Sequence, residues 1–94
     1  MKATNTMYTY ISPFTLCSEV LAAAKQVSFE TKFISSHEAL RAWEMNHDDL
    51  MNIVRPAVYS NTYNGQELDD LERAYSILNH AIDIKVPQLL ERLT

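Results

Sequence analysis

The chain has 94 residues, a net charge of −4 at pH 7, 47% hydrophobic and 21% charged residues, one cysteine and one glycine. That length holds a single domain, 1–94, and the composition is too apolar for a disordered chain. The acidic balance excludes the broad positive field that non-specific nucleic-acid or anionic-membrane binding needs, and a lone glycine excludes the glycine-rich phosphate loops of nucleotide-binding folds.

The N-terminal stretch MYTYISPFTLC, followed by Ala22, Ala23 and Ala24, imitates a secretory leader only loosely. Thr9, Ser12, Thr15 and Glu19 interrupt its apolar run, so no leader is expected. One cysteine cannot close an internal disulfide, and the expected location is cytoplasmic. No run approaches the roughly 18 apolar residues of a membrane span, so no membrane partner is expected.

In chain order, Ser12-Pro13 reads as a cap followed by proline at the first helical position. Cys17, Val20, Leu21, Ala24 and Val27 then recur at helical spacing, which predicts a helix over about 13–27. The next stretch fits two periods. Val27, Phe29, Thr31 and Phe33 alternate as in a strand, whereas Val27, Thr31 and Ile34 continue a helix. Together with the strand-favouring TMYTYI, this leaves an α+β alternative with short strands near 6–11 and 27–34.

Ser35 and Glu38 form a capping-box pattern ahead of the stripe Leu40, Trp43, His47, Leu50 and Val54, and Pro56 follows. The expected helix is 36–55. His47 points inward in this helix, with its ring packed and one nitrogen bonded to a carbonyl. Asn64 and Glu67 repeat the capping pattern, and Leu68, Leu71, Tyr75, Leu78, Ile82, Val86, Leu89 and Leu93 form one stripe that runs through Pro87. A third helix over 66–92, kinked at Pro87, is predicted. Ala74, Ile77, Ala81 and Ile84 widen its apolar arc, and Lys85 lies inside that arc with a stem that can pack while the ammonium reaches water. The fold class is therefore mainly α, a small bundle of three main helices.

A helix of roughly 28 residues spans about 42 Å at 1.5 Å per residue, against a diameter of roughly 32 Å for a compact domain of this size. The C-terminal segment either folds back over its own core or offers an apolar ridge to another chain, and the wide arc favours the second. Candidate partner-binding residues are Tyr59, Tyr63, Ile77, Ile84, Leu89, Leu90 and Leu93.

No pattern of catalytic residues appears, and His37, His47 and His80 lack the close spacing of zinc ligands, so neither enzyme activity, nor a cofactor, nor a metal is expected. His80 and Asp83, three residues apart, are an ordinary pair for a solvated helix face. Cys17 belongs to an apolar stripe with no cation beside it in sequence to activate its thiol.

Two functions remain. The favoured one is a non-enzymatic protein-interaction module (adaptor, inhibitor or regulator), expected to be a homodimer or to dock on a protein whose surface is basic, such as a nucleic-acid-handling protein. The alternative is a dimeric DNA-binding transcriptional regulator with a helix-turn-helix-like unit. Glu44, Asp48 and Asp49 on its reading helix oppose direct nucleic-acid binding.

Overall fold

The computed structural model describes residues 16–94. The strand considered near 6–11 and the helix start at Pro13 lie outside the described residues. Helix α1 (Cys17–Glu30) opens at Cys17 from an extended Leu16, whose N–H donates to the Glu19 carboxylate at 3.1 Å, one half of a capping box. It continues past the expected end at 27 and passes into a 3₁₀ turn, Thr31–Phe33.

Residues 27–34 are thus not a strand. Thr31 and Ile34 are buried and Val27 is half-buried, as the helical period requires. Phe29 and Phe33 lie four residues apart on the solvent side, where their rings meet edge to face with centroids 5.4 Å apart. Two bonds favour this period over the alternating one. The Thr31 hydroxyl donates to the Ser28 carbonyl at 2.8 Å, and the Trp43 indole N–H donates to the Val27 carbonyl at 2.7 Å.

Helix α2 (His37–Tyr59) is capped by Ser36, whose hydroxyl oxygen accepts from the Ala39 N–H at 3.0 Å, so the cap falls one residue after the expected Ser35. Pro56 does not end it. The ring removes only the bond back to the Asn52 carbonyl, and the turn beyond it buries Ala57 and half-buries Val58 against the core, which offsets that loss.

Asn61 and Gly65, with φ of 62° and 60°, turn the chain into helix α3 (Gly65–His80). Gly65 takes this left-handed conformation without a Cβ penalty. The Asn64 side chain makes no capping bond, so the expected Asn64/Glu67 box does not form. A π-helical turn, Ala81–Lys85, joins α3 to helix α4 (Val86–Leu93). The expected single long helix is therefore present but changes pitch before the proline. The Val86 N–H reaches back five residues to the Ala81 carbonyl, and Pro87, which has no N–H to offer, falls in the first turn of α4.

The rod from α3 through α4 packs along α1 most extensively and along α2 next, while α1 and α2 barely touch. Among the described residues two apolar clusters result. The first joins Val20, Leu21 and Ala24 of α1, Met51 and Val54 of α2, and Leu71, Ala74 and Leu78 of α3. The second joins Ile34, Leu40 and Trp43 to Ala81, Val86 and Leu89. Overall the fold is a small all-α bundle, 43 × 32 × 17 Å. Its long axis equals the roughly 43 Å reach of a rod from Gly65 to Leu93. The rod does not overhang, because the second cluster covers its end.

Candidate functional site

The residues expected to meet a partner do not form one surface. Leu89 is 1% exposed inside the second cluster, where it is part of the chain's own core rather than an exposed ridge. Leu93 is half-buried against the same cluster, and Ile77 and Tyr63 are half-buried against the first. Burial, reinforced by Cys17 and Glu67, raises the phenol pKa of Tyr63. Tyr59, Ile84 and Leu90 are exposed. Tyr59 stands edge to face with Tyr75 at 6.2 Å, and the proximity of the two phenols raises that of Tyr59 above its ordinary pKa and lowers that of Tyr75.

An apolar recess lies elsewhere, where α1 and α2 diverge. Ala23 and Val27 of α1 and Leu50 and Ile53 of α2 form its floor, and it encloses about 280 Å³. Its geometry follows from the packing. Both helices lie against the rod, so their facing sides are left apart, and Ile53 is buried without joining either cluster. Glu30 and Asp49 stand on the rim. The Gln26 amide donates to the Glu30 carboxylate at 3.2 Å and steadies it there. Periodicity arguments missed this feature, although Ala23, Val27 and Glu30 form a second, weaker stripe beside the main one on α1.

The interior polar groups have structural partners. His47 is buried, with Nε2 2.9 Å from the Leu78 carbonyl, Nδ1 3.1 Å from an Asp48 carboxylate oxygen, and its ring 5.2 Å from that of Trp43. A carbonyl only accepts, so Nε2 carries a proton and donates. This is the packed, carbonyl-bonded histidine that the stripe predicts. Asp70 accepts from the Gln66 amide at 2.9 Å. Cys17 is 4% exposed, and burial, followed by the charges of Glu67 and Asp70, raises its thiol pKa, which opposes thiolate formation.

His80 and Asp83 are both exposed, and among the described residues no group of three or more histidine, cysteine or acidic side chains is arranged to hold a metal ion. No helix among the described residues is long and apolar enough to cross a membrane. The solvent side of α2 carries Asp48 and Asp49, charges that repel a nucleic-acid backbone. Comparison of the chain with protein families, curated proteins and solved structures returned no match.

Proposed function

We propose that this protein is a small, non-enzymatic interaction module that seats an apolar segment of a basic protein partner in the recess between α1 and α2. The carrying observation is the combination of an apolar floor, Ala23, Val27, Leu50 and Ile53, with carboxylates at its edge. Burial of apolar side chains on that floor supplies affinity, and the rim selects lysine or arginine flanks through complementary charge. A second copy of the chain is a poorer occupant, because it would bring its own net charge of −4 and its own acidic rim to the contact. The homodimer expected from the C-terminal ridge also loses Leu89 as a contact.

The test is fluorescence anisotropy with helical peptides that share one apolar stripe and differ only in lysine or glutamate flanks. The lysine-flanked peptide binds, and the glutamate-flanked one binds at least about tenfold more weakly, a difference of about 1.4 kcal/mol. Ala23→Arg fills the recess from an exposed position and abolishes binding without unfolding the protein, while Asp49→Lys reverses the preference for flanking charge. Equal binding of both peptides, or binding that survives Ala23→Arg, overturns the proposal. Light scattering of the free protein as a monomer supports this reading over self-association, and a dimer broken by Ala23→Arg overturns it in favour of a second copy.

A further inference from the structure

The chain has 12 acidic and 8 basic residues, yet three of the basic ones, Lys32, Lys85 and Arg92, line one pocket of about 190 Å³ together with Thr31, Gln88 and Leu89. Among the described residues, none of the three has a carboxylate oxygen within 4.0 Å of its cationic nitrogens. The lining therefore carries three positive charges and no carboxylate, a surplus that favours an anion among them.

Two of the cations are anchored by backbone acceptors. Lys85 Nζ donates to the Ser28 hydroxyl at 2.7 Å and lies 3.3 Å from the Ser28 carbonyl, and Arg92 donates to the Ile34 carbonyl at 3.2 Å. Those carbonyls, at the C-terminal end of α1 and just beyond it, give the cations a partial negative charge to face. They do not exhaust the donors. An ammonium has three N–H groups and a guanidinium five, so donors remain on both side chains, and both are held in place by bonds to residues 57 and 58 positions away in sequence. Lys32 lines the same pocket from an exposed turn, with its ammonium 5.0 Å from the centre of the Phe29 ring. Gln88 adds a neutral amide donor to the same lining.

We infer that this pocket, between the 3₁₀ turn and α4, is a binding site for a phosphate group. A dianion with several acceptor oxygens matches three positive charges and a guanidinium fork better than a single carboxylate does, and fixed donors lower the ordering cost of binding. The inference is independent of the α1/α2 recess, which is lined by other residues.

The test is a titration of ¹⁵N-labelled protein with inorganic phosphate, at constant ionic strength against potassium chloride, followed by amide shifts. Phenyl phosphate in a parallel arm distinguishes a monoester from the free ion. Saturable shifts centred on Thr31, Lys32, Gln88 and Arg92 are expected, with a Kd on the order of 1 mM that weakens as salt rises. Gln88→Glu and Lys32→Glu replace exposed side chains outside the anchoring bonds, so both fold, and each weakens phosphate binding at least about tenfold. Tighter binding of phenyl phosphate than of phosphate assigns the site to monoesters, and the reverse order assigns it to the free ion. Shifts that match the chloride control, or phosphate binding unchanged in both variants with native circular dichroism, overturn the inference.

Discussion

The two apolar clusters are built by different means. The first is almost wholly hydrocarbon, in which Leu71, Ala74, Leu78, Ala24 and Val54 all have no exposed surface, and three helices contribute to it. The second is smaller and is fastened by side chains that reach across to backbone carbonyls: Trp43 to Val27, Lys85 to Ser28 and Arg92 to Ile34. The difference follows from where the chain reverses. The first cluster lies where α1 and α2 both close on α3. The second lies at the end of α1, where the Val27 carbonyl takes the Trp43 indole, the Ser28 carbonyl is shared by Thr31 and Lys85, and the Ile34 carbonyl beyond the helix takes Arg92. One end of the molecule therefore relies chiefly on close packing, with the His47–Leu78 bond at its margin, and the other adds directed hydrogen bonds from Trp43, Lys85 and Arg92.

Truncation of Leu78 is the largest expected effect and the most direct way to break that contrast. Leu78→Ala removes a fully buried side chain from the first cluster and is expected to lower stability by about 3–5 kcal/mol, measured by urea denaturation. Against a typical total of about 5–15 kcal/mol, that leaves little margin for a chain of this size. Leu89→Ala, in the second cluster, is expected to lose less, because fewer helices surround it and the cavity can collapse more fully. An equal or larger loss at Leu89 would remove the distinction between the two ends.

A smaller change sharpens it. Trp43→Phe keeps an aromatic ring in the second cluster but leaves the Val27 carbonyl without its indole donor. The expected loss is about 1–3 kcal/mol, most of it from the unpaired polar group. Hydrogen exchange should show the damage as faster opening of residues 31–36 and α4, with the amides of α3 largely unchanged. Uniform loss of protection would instead mean that the two clusters unfold as one unit.

The hydrocarbon cluster was legible in the sequence because its residues announce themselves by helical period. Cys17, Val20, Leu21 and Ala24 of α1, His47 and Val54 of α2, and Leu71 and Leu78 of α3 are buried as predicted, whereas Val27, Leu50, Leu68 and Tyr75 of the same stripes are half-buried. What the pattern did not reveal lies at the other end. Whether 27–34 was strand or helix rested on two short-range periods, and the donors that accompany the helical answer include an indole 16 residues away. Leu89 carries the same spacing signal as a surface ridge residue would, and only the path of the rod over Ile34 and Trp43 makes it core. Pro56 reads as a stop, yet only one helical bond is at stake so near the end of α2. The basic pocket was invisible because Lys32 is far in sequence from Lys85 and Arg92, and the α1/α2 recess because a groove is the absence of a contact.

The smallest expected effect concerns the edge of the first cluster. The Cys17 thiol has its pKa raised above the ordinary 9.0, first by burial and then by the charges of Glu67 and Asp70. In the unfolded chain the thiol ionises at its ordinary value, whereas in the folded protein it keeps its proton to higher pH. Between those two values the native state binds more protons than the unfolded state, so stability falls as pH rises above about 9.0. Cys17→Ala removes that linkage at a position where alanine still packs, although it also leaves a small void. The variant should begin less stable than the native protein at pH 7 and lose less stability between pH 8.5 and 10.5, so that the two denaturation midpoints converge. Tyr63 also has a raised pKa and titrates in both proteins, so its contribution cancels in the comparison to the extent that Cys17 does not itself set it. Parallel midpoints across that range would place the thiol in water and move the boundary of the hydrocarbon cluster inward from the start of α1.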